Sequence, residues 1–213
     1  CLFVNQSAMS GRHAVSAPLS SIGGGLRGES KDIVADLLRR AESLTKEQRL
    51  NYTLLRLNRP VEVRPHWQFY DKYVSFTMPL AGGSERVWSE VLRGKSRNQI
   101  RKAERCGYLV SRGHDRLDSF SWILHDCTKE LGAPCPGRRL FTEAAKHFGN
   151  DVDFIVVRDE KAPVAGAVLF YHGDMVSNPW AVSLRSHRSK CVNSLLYWEI
   201  IKAACGRGML RFD

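Results

Sequence analysis

The sequence contains no Cys-x-x-Cys pair and no paired His-x-x-x-His, and its six cysteines, at 1, 106, 127, 135, 191 and 205, are scattered. That pattern excludes a zinc site and a disulfide framework, so no metal is expected, and it points to reduced, mostly buried thiols in a cytosolic protein. Cys106, Cys127 and Cys205 fall on apolar helical positions, where core packing is their expected role. There is no run of about 18 apolar residues and no signal peptide, which argues against a membrane span and a secretory leader. Gly-x-Ser-x-Gly and a catalytic-cysteine signature are also missing, so no nucleophilic triad is proposed. The triplet Gly23-Gly24-Gly25 lacks the Lys-Ser/Thr of a P-loop and the dinucleotide spacing, and is read as a permissive loop.

Acidic residues are in short supply. Against 32 Lys and Arg there are 22 Asp and Glu, a formal net charge of +10. Such a surplus favours an anionic partner, whether nucleic acid, a nucleotide-linked substrate or an anionic membrane surface, and does not choose among them. The remaining composition, 43% hydrophobic and 25% charged over 213 residues, is that of a globular chain able to bury one large core or two small ones. A start at Cys1 and an end in the strand-like run Met209 to Asp213 suggest an excerpt of a longer protein.

Periodicity supplies the elements. Leu2 to Asn5 and His13 to Pro18 read as strands joined by a turn, Ser30 to Arg49 as an amphipathic helix capped by Ser30, and Asn51 to Leu57 as a strand. A loop from Asn58 to Asp71 leads to a strand over Lys72 to Met78. Helices follow at Ser84 to Leu92 and at Ser96 to Cys106, the latter stopped by Gly107, then at Leu117 to Leu131 and Arg138 to Phe148. Asp153 to Arg158 and Val164 to Tyr171 form a hairpin around 159–162, and Met175 to Val182 is a third strand. The basic loop Arg185 to Lys190 precedes a helix begun and capped by Asn193, which runs to about Cys205 and is followed by a last strand. Val15-Ser16-Ala17-Pro18 and Val176-Ser177-Asn178-Pro179 share V-S-x-P, each placed at the close of a strand ahead of a loop, a long helix and a short strand. This echo is read as an internal duplication, with parallel pairing of the strands that flank each helix.

The densest signal is Trp88 to Tyr108, where Arg93, Lys95, Arg97, Arg101, Lys102 and Arg105 set six cations against Glu90 and Glu104. Either a solvated helix face, with Glu90 and Glu104 pairing locally, or an anion site explains it. For anion binding the candidates are Lys95, Arg97, Arg101 and Lys102. Arg97 and Arg101 share a helix face, with Ile100 and Ala103 toward the core. A second candidate is Arg185, Arg188 and Lys190 leading to Asn193 and Ser194 at a helix N-terminus, where exposed amides and the helix dipole attract anions. Trp180, Tyr197 and Trp198 are candidate liners of an acceptor cleft, at least one of them belonging to the core. His172, at a turn, is a candidate general base against the simpler role of a surface residue.

The repeated order of strands, long helix and strand, the run K-S-R-N-Q-I-R-K-A-E-R-C-G and the closing N-S-L-L-Y-W-E-I-I-K-A-A-C-G-R-G-M-L-R-F-D together resemble the FemAB-like branch of the GNAT acyltransferase superfamily. More narrowly they resemble the bacterial FemAB-related proteins associated with exopolysaccharide and exosortase (PEP-CTERM) clusters. The resemblance implies an α/β, tandem GNAT-like fold of two mixed-sheet halves: 1–83 as the first, 84–150 as a helical connector and 151–213 as the second, cut short before a Phe-Gly-Arg-Ser-type segment. It implies acyl-CoA or aminoacyl-tRNA as donor substrate with no tightly bound cofactor, and transfer to an amine of a nucleotide- or lipid-linked saccharide or peptide in cell-wall or exopolysaccharide synthesis, with peripheral membrane association possible. It places the donor's pyrophosphate at the Arg185 to Ser194 junction, although the glycine-rich Q/R-x-x-G-x-G/A loop is absent, and Asp213 beside the cleft to orient the amine. The alternatives are a non-enzymatic RNA- or nucleotide-binding protein and an inactive scaffold in polysaccharide assembly.

Overall fold

The computed structural model describes residues 2–7, 11–16, 30–57, 67–70, 74 and 76–213. Its contacts divide the chain into two compact units, Cys1–Ser75 and Phe76–Asp213. The first unit holds a three-stranded sheet in which Phe3–Ser7 (β1) runs antiparallel to Gly11–Val15 (β2). The helix Lys31–Glu47 (α1) then carries the chain over to Tyr52–Leu54 (β3), which lies parallel to β2. Ser30 caps α1, its hydroxyl accepting from the Ile33 amide at 3.3 Å, and Leu38 and Ala41 are its buried positions.

The second unit begins with Met78–Pro79 (β4), the short helix Gly83–Arg86 (α2), a π-helical turn over Val87–Val91 and Gly94–Glu104 (α3). Leu109–Arg112 (β5), Leu117–Glu130 (α4) and Arg138–Phe148 (α5) follow. The chain closes with Val152–Arg158 (β6), Pro163–His172 (β7), Met175–Ser183 (β8), a 3-10 helix over Arg185–Lys190, Val192–Gly206 (α6) and Arg211–Phe212 (β9). These strands form one sheet ordered β4-β9-β8-β7-β6-β5, antiparallel except for the parallel pair β8 and β9.

β6 is buried along almost its whole length because helices cover both faces of the sheet, and that is why Phe154 to Val157 form an unbroken apolar run instead of an alternating one. Ile155, Val157, Ala165, Ala167 and Leu169 join the core with α3 and α6, while Phe154, Val156 and Val168 join the core with α4 and α5. Gly166 lets α4 approach β7 closely: a Cβ there would stand 3.3 Å from the Phe120 ring and 3.3 Å from the Ile155 carbonyl oxygen. Among the described residues no helix is long and apolar enough to cross a membrane.

The α/β class and most elements match the sequence expectations, and parallel pairing follows each long crossover helix in both units. The duplication sharpens. Val15 pairs with Leu54 and Val176 with Phe212, so the two V-S-x-P valines hold the same place relative to their crossover helices. Pro18 and Gly23 to Gly25 lie outside the described residues. The second V-S-x-P lies inside β8 and does not close it: the register slips between Val168 and Phe170, placing Pro179 in a bulge, where a residue without an amide hydrogen is tolerated. The strand expected over Lys72 to Met78 also differs. Its residues 72, 73 and 75 lie outside the described residues; of the others Val74 and Phe76 are 76% and 84% exposed, and among the described residues pairing begins at Met78, opposite Phe212.

Candidate functional site

β8 delivers the chain through the 3-10 helix to the N-terminus of α6. The expectation that Asn193 begins and caps that helix is corrected: Cys191 is the N-cap, and Asn193 is exposed inside the first turn. The cause is local, because Cys191 sits in the left-handed region at φ 60°, ψ 29° and turns the chain into the helix two residues earlier. A non-glycine residue in that conformation costs about 1–2 kcal/mol, and such strain persists only where its surroundings enforce it. No side chain caps the turn. The amides at the start of α6 are left with no side-chain acceptor, beside Arg185, Arg188 and Lys190, whose exposed side chains make no hydrogen bond or ion pair among the described residues.

The 3-10 helix is pinned by a network that the sequence did not suggest. The Tyr108 hydroxyl lies 2.7 Å from His187 Nδ1, and His187 Nε2 lies 3.6 Å from Asp159 Oδ2. Asp159 in turn accepts from the amides of Lys161 and Ala162 at the tip of the β6–β7 hairpin, and these bonds hold its carboxyl below the ordinary range. Burial pushes the Tyr108 phenol up, helped by Cys106 and Asp159. The ring thus shares a hydrogen bond with the phenol at Nδ1 and presents Nε2 to the Asp159 carboxylate within ion-pair range. Tyr108→Phe removes one neutral hydrogen bond, and we expect amide protection over Arg185–Lys190 to fall by about fivefold, near 1 kcal/mol, in hydrogen exchange. Unchanged protection there would mean that the network does not hold the segment.

The other residues singled out from sequence divide into two groups. Ser194 Oγ donates to Gln99 Oε1 at 3.3 Å, so the first turn of α6 touches α3 and the two basic segments are neighbours. On α3, Lys95 and Lys102 are exposed and make no side-chain bond among the described residues. Arg97 turns back along its own chain, Nη1 donating to the carbonyls of Trp88, Ser89 and Leu92 at 2.9, 3.1 and 2.9 Å. Arg101 stacks over the Trp88 ring at 5.3 Å. Glu90 pairs with Arg86.

Trp180 packs edge-on against Phe141 at 5.4 Å, in the core beneath α5. Trp198 is buried against Trp88, and Tyr197 stays partly exposed beside Phe212. His172 ends β7, and Asp213 donates its amide to Val176 O near the start of β8. Nine strand residues at about 3.3 Å each separate that end of β8 from the start of α6, so the structure does not gather His172 and Asp213 with Asn193. Of the three cysteines assigned to the core, Cys127 is buried, and that burial pushes its thiol up to about 11. Cys205 is partly buried, whereas Cys106 is exposed just beyond α3, its thiol donating to Lys102 O.

Residues 91–213 match a family model described as an acetyltransferase (GNAT) domain. Among solved structures, that of FemX aligns with all of this chain and 74% of its own at a TM-score of 0.67 and 12% identity. A conserved protein of unknown function from Bacteroides thetaiotaomicron aligns with 94% of this chain and 69% of its own at a TM-score of 0.58 and 11% identity. No curated protein matches the chain.

Proposed function

The chain belongs to the GNAT acetyltransferase family, and on that premise we propose that it transfers an acyl or aminoacyl group from a phosphate-bearing donor to an amine. The acceptor we assign is a nucleotide- or lipid-linked saccharide or peptide precursor of the cell wall or of an exopolysaccharide. One observation carries the reading: the start of α6, left without a side-chain cap by Cys191, opens beside Arg185, Arg188 and Lys190. Amides at a helix N-terminus and the positive end of its dipole hold phosphate oxygens, and guanidinium groups add bonds about twice as strong as neutral ones. Acyl-CoA and aminoacyl-tRNA both offer such oxygens. To the acceptor, a second polyanion, we assign the exposed Lys95 and Lys102 on the adjoining α3.

The chemistry asks little more of the protein. The acceptor amine loses a proton and attacks the acyl carbon, the tetrahedral intermediate collapses, and the donor's thiol or ribose hydroxyl departs with a proton. Orientation of the two substrates supplies much of the rate, which is consistent with a chain that shows no nucleophile signature.

The test is acyl transfer by the purified protein with acyl-CoA and with aminoacyl-tRNA as donors. In the Arg185→Ala/Arg188→Ala double variant we expect donor KM to rise by roughly tenfold to a hundredfold while kcat changes far less, the mark of lost ground-state binding. Absence of both turnover and saturable donor binding would overturn the reading, and steeply salt-dependent binding of arbitrary RNA without transfer would replace it with a nucleic-acid binder.

A further inference from the structure

The opposite end of α6 carries a separate polar site. There β5 and β6 face the last turns of the helix across a cavity of about 370 Å³, with Arg112, Lys202, Arg207 and Glu199 among its walls above Val110 and Ile155. Behind the two arginines lie two buried side chains. Asp153 is 9% exposed, and its carboxylate stands 3.3 Å from Arg112 Nε. Tyr171 is 6% exposed, and the Arg207 guanidinium stacks on its ring at 3.8 Å. The Tyr171 hydroxyl is sealed from solvent beneath the Arg207 guanidinium.

Each arginine is therefore fixed from behind, one by an ion pair through a single nitrogen and the other by stacking. Arg207 Nη2 stands 3.9 Å from Asp151 Oδ1, too far for a hydrogen bond. The nitrogens of both guanidiniums keep most of their donors, and both side chains remain partly open to solvent. Lys202 pairs with Glu199 at 2.7 Å and Arg112 with Asp153, so Arg207 is the lining cation without a carboxylate within hydrogen-bond distance. The C-terminal end of α6 adds partial negative charge and works against an anion here, which a pair of guanidiniums has to outweigh.

We propose that this cavity binds a compact oxyanion, a phosphate or a carboxylate group, bridged between Arg112 and Arg207 with Lys202 at its rim. Planar guanidiniums anchored on one edge present forks that match two oxygens of such a group with little ordering left to do. The fifteen residues of α6, at 1.5 Å each, put about 20 Å between this cavity and the start of the helix. It is thus a second site, and it stands whether or not the chain transfers acyl groups.

The experiment is calorimetric titration of the whole chain with inorganic phosphate and with succinate, in an Arg188→Gln background that removes one cation from the loop before α6. Saturable binding of either ligand is expected, weakened about tenfold or more by Arg207→Gln and by the paired change Arg112→Gln/Asp153→Asn, which avoids stranding a buried carboxylate. Lys202→Gln touches neither Asp153 nor Tyr171 and is expected to weaken binding severalfold, so the site stays testable if the other variants fold poorly. Binding of phosphate alone assigns the site to phosphate groups, and binding of succinate alone assigns it to carboxylates. No saturable binding of either at tens of millimolar, or binding indifferent to Arg207→Gln and Lys202→Gln alike, would overturn the proposal.

Discussion

Arg97→Ala is expected to lower the unfolding free energy of the second unit by about 3 kcal/mol while leaving donor KM nearly unchanged. The π-helical turn Val87–Val91 stops at Leu92, which is extended at φ -73°, ψ 126°, so its last carbonyls have no helical amide to meet them. A single guanidinium nitrogen of Arg97 serves three of these carbonyls. Charge makes those bonds stronger than neutral ones, and a cation at the C-terminal end of a helical segment also meets the negative end of its dipole. Sequence alone predicts the reverse order of effects for this residue, weaker ligand binding with an intact fold. Urea denaturation beside donor kinetics separates the two: an unmoved midpoint together with a raised KM would return Arg97 to ligand binding.

Phe154→Ala is expected to cost about 3–5 kcal/mol. The side chain is fully buried in β6, a strand with neighbours on both sides, and its ring centroid lies 5.6 Å from Phe120, 6.4 Å from Phe141 and 6.4 Å from His114. Removing it leaves a void that α4 and α5 can fill only by shifting against the sheet, which α4 already contacts closely at Gly166. A thermal or urea melt measures the loss. Below about 1 kcal/mol the aromatic cluster would not be acting as a packed unit.

What could be read from the sequence follows the strength of local patterns. α1, α4, α5 and α6 carry apolar positions at helical spacing, and β6 and β7 flank an evident turn, so their extents come out within a few residues. β5 leaves no sequence signal because four residues of mixed polarity on the edge of a sheet carry no clean alternation; Leu109 is 68% exposed there. Within Trp88 to Tyr108 the interruption between two helical stretches is legible, but the π turn before it and the bonds from Arg97, five residues past Leu92, that stabilise it leave no periodic signal.

The basic residues of the loop before α6 are visible as charge. What positions them was not, since Tyr108 and His187 are 79 residues apart and no periodicity connects them. The left-handed turn at Cys191 had no signal at all, as glycine is the residue that announces that conformation. His172 stands out by chemical type at a turn and Asp213 by the family resemblance, and both lie by the start of β8, a strand's length from the start of α6.

The repeated strand, strand, helix, strand unit gives the chain two corresponding helix starts, one in each unit. They are finished differently. In α1 the Ser30 hydroxyl accepts the Ile33 amide and so competes with any anion for that turn, whereas in α6 Cys191 offers no such acceptor. A doubled fold would otherwise suggest doubled capacity; under the proposed donor site this asymmetry predicts one donor per chain and leaves the first unit free for a different task.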